Sequence, residues 1–359
     1  MKFIGKLLAY PLLAINIITA LLLIFSCYGS IVAPIGRWPF ASLSGLVFPF
    51  LYFLNFMFLV LWLFTWKKGI LVPIVTILIC IVPTLNYFPL HFSKAKKVQQ
   101  PYLTIRTYNT EGFGIDDNKD WTLSNPVLKH ILDFQADIIF LQEATRDIVN
   151  KISRDKKITG IYPYVTLPSG INSQACLSKY PIQYNENINF ENTSNGCQYA
   201  RILIGNDTLA VYNCHLQSNR LNEAEISEYQ RFIKNPTDST HYDVSKKVVK
   251  KLLISTSQRA GQARMIADRA QNETARYMIV CGDFNDTPLS YSHRVFNRFM
   301  NDAYSKSGVG MGITYHEHRL FYRIDHIFCS KNIAPLHTWI DRSQKDSDHY
   351  PVISRIRLE

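Results

Sequence analysis

Tyr277-Met278-Ile279-Val280-Cys281-Gly282-Asp283-Phe284-Asn285-Asp286-Thr287-Pro288 is the stretch from which the rest of the chain is read. Its opening apolar run is too short for a helix and is stopped by Gly282. It therefore reads as a buried strand that presents polar residues where it exits. Asp283 and Asn285 stand two apart and share one face of that exit. A carboxylate beside an amide suits a phosphoester site, because the acid holds a hard cation or an attacking water while the amide hydrogen-bonds a non-bridging phosphate oxygen. Taken alone, a strand ending in an Asx turn is an equally good reading, and the surrounding sequence has to decide.

Polar residues recur wherever an apolar run ends. Asn109 follows Thr104-Ile105-Arg106-Thr107-Tyr108, Glu143 follows Ile138-Ile139-Phe140-Leu141-Gln142, and His215 follows Leu209-Ala210-Val211-Tyr212-Asn213-Cys214. Asp325 and His326 lie within Arg323-Ile324-Asp325-His326-Ile327-Phe328, and Asp348-His349 precedes Tyr350-Pro351-Val352-Ile353. Any one of these alone is more often a cap or a solvated tip. The weight lies in the ordered set.

The chain has 359 residues, and the first hundred contain no Asp or Glu, so composition divides it near Gln100. Lys2, Lys6, Arg37, Lys67, Lys68, Lys94, Lys96 and Lys97 give that part a charge of +8, which leaves 31 of the 39 basic residues against all 28 acids in the remainder. The excess of positive charge belongs mostly to the flanks of apolar segments and is no nucleic-acid footprint. Three uncharged apolar stretches, residues 7–33, 42–66 and 69–90, each reach the roughly 20 residues that cross a bilayer. No amphipathic face appears in them, and Trp38, Tyr52, Trp62, Trp66 and Tyr87 lie where interfacial rings are common. They are expected to be three transmembrane helices. The first is too long for a cleavable signal and lacks a small-x-small site.

Lys2, Lys6, Lys67 and Lys68 against Arg37 favour a cytoplasmic N-terminus, although Lys94, Lys96 and Lys97 pull the other way. Three crossings from that start put residues 101–359 outside the cytoplasm. Cys214 and Cys281 fall inside apolar strands, where a reduced buried thiol is expected, and no Cys-x-x-Cys spacing occurs.

From Pro101 onward short apolar runs alternate with helical segments, the pattern of one α/β domain. Strands are expected at residues 102–108, 137–141, 200–204, 209–214, 277–281, 324–329 and 352–356, and helices at 125–134 and 244–270. Residues 219–243 read as a surface excursion beside the site. Gly308-Val309-Gly310-Met311-Gly312 lacks a strand-to-helix setting and a Walker lysine, so it reads as a mobile loop. His316-Glu317-His318 has strand or loop spacing, not the i, i+4 spacing of a zinc protease. Lys246-Lys247-Val248-Val249-Lys250-Lys251 reads as the solvated side of an amphipathic helix.

Taken in order, Tyr108-Asn109, Leu141-Gln142-Glu143, Asn213-Cys214-His215-Leu216, Gly282-Asp283-Phe284-Asn285-Asp286-Thr287-Pro288, Arg323-Ile324-Asp325-His326 and Ser347-Asp348-His349-Tyr350-Pro351-Val352 resemble the motifs of the endonuclease/exonuclease/phosphatase superfamily of deoxyribonuclease-like phosphoesterases. The resemblance implies a two-layer β sandwich flanked by helices, with the site where strand ends of both sheets meet. It implies that Glu143 is the principal metal ligand, that Asn109 supports metal and phosphate, and that Asp348 assists the metal or the leaving group. Asp283 would orient the attacking water, Asn285 and His215 would hold phosphate, and His349 would act on phosphate with its tautomer fixed by Asp325. Carboxylate and amide oxygens suit Mg²⁺ or Mn²⁺ better than zinc.

The function expected from the sequence is a membrane-anchored, divalent-metal-dependent phosphodiesterase, first of all a nuclease. Its partner is a phosphodiester substrate, nucleic acid or phospholipid headgroup, and no protein partner is inferred. A lipid phosphodiesterase of sphingomyelinase type is the alternative. An inositol phosphatase fits less well, since the Cys-Asp-Arg signature is absent at Arg323-Ile324-Asp325-His326. A silent, membrane-tethered binding module is the reading from a different class.

Overall fold

A computed structural model of the chain describes residues 2–34, 39–66, 68–92, 101–114, 123–169, 173–219, 242–317 and 321–359, with residues 224, 225, 227 and 231. Arg37, Trp38, Lys67, Lys94, Lys96, Lys97, His318 and most of the expected excursion at 219–243 lie outside the described residues.

The domain after residue 100 is built on two six-stranded sheets. In chain order the strands are β1 (Leu103–Asn109), β2 (Ile138–Gln142), β3 (Tyr164–Thr166), β4 (Ala175–Ser178), β5 (Ile182–Asn189), β6 (Gly196–Ile204), β7 (Asp207–His215), β8 (Tyr277–Asp283), β9 (Asn301–Asp302), β10 (Asp325–Cys329), β11 (Ile333–Ile340) and β12 (Val352–Leu358). One sheet runs β11-β12-β1-β2-β4-β3 and the other β5-β6-β7-β8-β10-β9. Apolar side chains from both sheets, among them Ile105, Phe140, Val211, Ile279, Ile327 and Ile356, fill the space between them. The outer face of the first sheet is covered by helices Pro126–Asp133, Arg146–Arg154 and Lys156–Ile161. Helices Tyr242–Gln271 and Tyr291–Asn297 cover the second. This is the expected sandwich flanked by helices. β8 is buried on both faces, which is why its sequence is a continuous apolar run instead of an alternation.

All seven expected strands and both expected helices form, the helices at Pro126–Asp133 and Tyr242–Gln271. The lysines at 246, 247 and 250 are exposed and Val248 is buried, as an amphipathic helix requires. All seven cysteines are free and buried.

The N-terminal part comprises α1 (Lys2–Tyr28), a 3-10 segment (Pro39–Val47), α2 (Phe48–Phe64), α3 (Leu71–Ile79) and α4 (Ile81–Tyr87). Two stretches, Ala9–Ile31 and Phe40–Phe64, are helices long and apolar enough to cross a membrane, and only 33% and 28% of their most apolar windows are buried in the protein. A helix in a soluble core would hide far more of that surface. The third expected span, 69–90, is divided at Cys80 into α3 and α4, which together give about 25 Å of helix at 1.5 Å per residue. Two of the three expected spans are thus candidate crossings, the second made of a 3-10 segment running into α2, and the third, as two short helices, is not among them.

The N-terminal part does not hang free of the domain. The backbone of Cys27 and the Ser30 hydroxyl accept from Arg294, and the carbonyl of Asn86 accepts from Arg323 at 2.7 Å and from Ser305 at 3.0 Å. The expected mobile loop 308–312 is pinned here: Gly310 N–H donates to Pro89 O at 2.8 Å, and His91 N–H donates to Gly308 O at 3.2 Å. The ends of α1 and α4 and the start of α2 therefore meet the domain. The far ends pack on one another, with Tyr10 edge-on to Trp66 at 5.9 Å.

Candidate active site

The inward-facing residues of each central strand turn polar at the same end of the sandwich. In β1 the series is Leu103, Ile105, Thr107, Asn109; in β7 it is Leu209, Val211, Asn213, His215; in β8 it is Tyr277, Ile279, Cys281, Asp283. β10 runs antiparallel to β8 and starts its own series at Asp325, directly opposite Asp283. β7 is parallel to β8 and pairs His215 with Asp283. The period of two thus places Asn109, His215, Asp283 and Asp325 at the polar end of one apolar core.

Asn109 links the two sheets. Its Nδ2 donates to Glu143 Oε1 and to Asp283 Oδ2, both at 3.0 Å, while its Oδ1 accepts from the backbone of Glu111 at 3.1 Å. The Asn109 amide nitrogen, not its oxygen, therefore faces the carboxylates. Glu143 lies just past β2 with φ +52°, and its side chain is 41% exposed, so a carboxylate reaches open space from a left-handed backbone. Asn285 also has a positive φ, +50°. Its backbone donates to Asp283 Oδ1 at 2.8 Å and its Nδ2 to Leu216 O at 3.1 Å and Asp283 Oδ2 at 3.2 Å. The Asx turn and the acid–amide pair are both present in this one loop.

His215 is buried, with Nε2 3.6 Å from Glu143 Oε1 and 3.7 Å from Asp283 Oδ2 and no hydrogen-bond partner among the described residues. Such an atom sits comfortably only where a further acceptor arrives. His349 places Nδ1 2.8 Å from Asp325 Oδ2 and Nε2 3.7 Å from Asp283 Oδ2. Burial alone would lower its pKa, but the charges of Asp325, Asp283 and Asp348 and the bond to Asp325 carry it well above the ordinary range. Asp283 is raised by burial and by Asp325, with His349 and His215 opposing. Burial, with Glu111, Glu143 and Asp283 adding to it and His349 opposing, pushes Asp348 up to about 7. A cleft where carboxylates raise one another in this way has a cation as its natural counter-ion. Asp283, Asp325 and His349 bring ligand atoms within 4.8 Å of one another, and the carboxylates of Glu143 and Asp348 beside them are of the kind a hard divalent ion takes.

All eight expected residues thus converge on one cleft, at the end of the sandwich where the two sheets meet. Several neighbours were not read from the sequence. Glu111 Oε2 accepts from the Asp348 backbone at 3.0 Å, the Ser347 hydroxyl donates to Asn109 O at 2.8 Å, and Thr314 Oγ1 accepts from Asp325 N–H at 3.2 Å. Asn213 and Gln142 tie the sheets one step inside the site: Gln142 Nε2 donates to Asn213 Oδ1 at 2.6 Å, and Asn213 Nδ2 to Leu141 O at 3.0 Å. The signal for that pair was present, since both lie within quoted motifs on inward-facing positions. Asp286, 3.4 Å from the buried Arg259 and bonded to Ser292 at 3.0 Å, holds the loop after β8 against the flanking helices. The cleft opens into a cavity of about 310 Å³ whose lining adds the aliphatic Leu43, Leu46, Val248, Leu252 and Ile324 and the polar Asn219, Arg259, Tyr315 and Tyr322.

Residues 107–349 match the Endonuclease/Exonuclease/phosphatase family, and residues 6–87 match a domain of unknown function. No curated protein matches the chain in sequence. Among solved structures, D. rerio TDP2 humanized by 14 mutations superposes with a TM-score of 0.52 at 18% identity, over 72% of this chain and 99% of that one. D. rerio TDP2 complexed with a single strand DNA product gives 0.52 at 16%, over 72% and 100%. An endonuclease/exonuclease/phosphatase from Beutenbergia cavernae gives 0.51 at 14%, over 72% of each chain. At these identities the likeness is one of fold. With the family matched over more than half of its length, the chain belongs to the endonuclease/exonuclease/phosphatase family.

Proposed function

We propose that the chain is a membrane-anchored, divalent-metal-dependent phosphodiesterase, with residues 1–100 as the anchor and 101–359 as the catalytic domain. The observation that carries this reading is that Asn109 and His215 each approach both Glu143 and Asp283 at 3.0 to 3.7 Å, beside the Asp325–His349 pair. Glu143 is the principal ligand for Mg²⁺ or Mn²⁺, Asp348 adds an oxygen, and Asn109 supports the ion by fixing Glu143. When bound, such an ion neutralises charge that builds on the phosphate.

The remaining work belongs to the chain's own residues. Asp283 orients a water whose oxygen bonds to phosphorus as the ester P–O bond breaks. His215 donates to a non-bridging oxygen, Asn285 turns toward another the Nδ2–H it gives to Asp283 Oδ2 in the free protein, and His349, its Nδ1–H held by Asp325, presents Nε2 toward the phosphate. A donor already aimed at the site, as His215 is, acts without rearranging and is effective in the transition state.

We read three crossings along the chain, the third of them α3–α4, which is shorter than the two long apolar stretches. α1 runs toward the domain, α2 runs away from it, and α3–α4 return to it. With Lys2 and Lys6 inside, the catalytic domain is then extracytoplasmic. For the substrate, the nuclease expected from the sequence has support in the TDP2 fold-mate that holds a single strand DNA product. The lipid alternative has support in the apolar wall of the cleft.

The test is hydrolysis of bis(p-nitrophenyl) phosphate by the full chain in phosphatidylcholine vesicles. Nitrophenol release with Mg²⁺ or Mn²⁺, abolished by EDTA and by Asp283→Asn, is the expected result. A folded chain that turns over no phosphodiester with any divalent metal would return the protein to the binding-module reading.

A further inference from the structure

The wall of the cavity opposite the carboxylates is not made by the catalytic domain alone. Leu43 and Leu46, both half-buried, come from the 3-10 segment Pro39–Val47, which packs against the long helix Tyr242–Gln271. From that helix Val248 and Leu252 complete the wall, and Ile324 adds to it from the strand-entry side. Both leucines also belong to Phe40–Phe64, one of the two stretches long and apolar enough to cross a membrane. A residue that belongs to a membrane-crossing stretch and also lines the reaction cleft fixes the mouth of that cleft at the level of the bilayer interface. The contact is built in: a Cβ on Gly45, between the two leucines, would lie 3.1 Å from Leu289 Cβ and 3.3 Å from Thr287 Oγ1 in the loop that follows Asn285.

We propose that the anchor is part of the substrate site, with Leu43 and Leu46, together with Val248 and Leu252, holding the hydrocarbon portion of an amphiphilic phosphodiester drawn from the bilayer. This rests on the phosphodiesterase reading above. Polar phosphate chemistry on one wall and four aliphatic side chains on the other match a lipid headgroup with its tail. Arg259, Tyr315 and Tyr322 also line the cavity, so a nucleotide, which takes cations and stacking rings, is the competing occupant that the assay separates.

Three p-nitrophenyl phosphodiesters share one reacting centre and one leaving group, and their second ester is methyl, thymidine or hexadecyl. The full chain in phosphatidylcholine vesicles with Mg²⁺ is assayed on each. We expect kcat/KM for the hexadecyl ester to exceed that for the methyl ester by at least about tenfold. Leu43→Asn/Leu46→Asn should reduce this preference by roughly tenfold or more, while Leu43→Met/Leu46→Met should keep it, as loss of apolar pocket contact discriminates on that scale. A ratio of two substrates cancels the fraction of enzyme that is folded. The surface concentration of the hexadecyl ester also cancels, because both variants stay embedded.

Equal rates on the methyl and hexadecyl esters would overturn the inference and leave the phosphodiesterase standing. So would a preference that survives the asparagine pair. Thymidine preferred over hexadecyl would assign the cleft to nucleic acid. Turnover of none of the three by a folded chain would bring down the phosphodiesterase reading itself.

Discussion

Gly282 is the residue whose replacement tests the architecture of the site most directly. It has φ +125°, and a Cβ built on it would lie 1.9 Å from the carbonyl oxygen of Cys214 and 2.9 Å from two further backbone atoms of the same residue. Real Cβ contacts stay beyond 3.0 Å, so Gly282→Ala requires β7 and β8 to part by more than about 1 Å. The next residue pair along the two strands is His215 and Asp283. A side chain at this φ costs about 1–3 kcal/mol, and overpacking two backbones adds about 1–3 kcal/mol. We therefore expect a loss of about 2–6 kcal/mol, read as a fall of roughly 5–20 °C in melting temperature for a domain of this size. Displacing the reacting groups by about 1 Å should lower kcat on bis(p-nitrophenyl) phosphate by about 10²-fold. Gly261→Ala is the control: it lies in a helix with nothing within 4 Å of the new Cβ, and it should stabilise by up to about 1 kcal/mol. Thermal unfolding and steady-state kinetics of the full chain in detergent check both. Gly282→Ala with an unchanged melting temperature and full activity would refute the contact between β7 and β8 and the site built on it.

Glu143→Gln should weaken activation by Mg²⁺ by about tenfold or more with partial rescue at high Mg²⁺, because it removes charge and keeps size; loss at every metal concentration with metal affinity unchanged would remove Glu143 as a ligand. Asp325→Asn takes away a carboxylate that raises His349. The limb of the pH–rate profile governed by His349 should therefore move to lower pH, with kcat down by about 10²-fold or more, and a profile of unchanged shape would sever the pair. A reporter after Glu359 reads the side of the membrane: alkaline phosphatase activity with a dark green fluorescent fusion is expected from three crossings, whereas a bright fusion would mean two.

What the sequence disclosed follows from which strands are central. β1, β2, β8 and β10 are buried throughout and β7 from Leu209 onward, and their apolar runs stop where the chemistry begins, so both strand and site residue are visible together. β5 is an edge strand, Ile-Gln-Tyr-Asn-Glu-Asn-Ile-Asn, exposed over much of its length, and it offers no apolar run to find. β11 lies at an edge too, and its register shifts at Pro335, which breaks the alternation a reader looks for. β3 and β4 have three and four residues, too few for any period to show. In the site, Glu111 is recruited by a backbone at φ +46°, and Thr314 arrives from a separate loop; neither carries a local signature. Leu43 and Leu46 were hidden for the opposite reason, since in an apolar span every leucine has the same meaning until a fold brings one of them to a cleft.

The way the anchor grips the domain sets the kind of kinetics to expect. Arg294 is bonded to the end of α1 and Arg323 to the end of α4, and Leu289 of the domain packs into the same apolar cluster as Leu23, Phe48 and Tyr87. The N-terminal part and the domain are therefore held together at several points by buried contacts. Under the proposed membrane-anchored reading, these contacts would fix the height of the cleft above the bilayer. An enzyme mounted in this way would sort molecules by how far their phosphate stands from the plane of the membrane, and would meet them by lateral diffusion. Its velocity should follow the mole fraction of substrate in the surface rather than the amount in the surrounding volume.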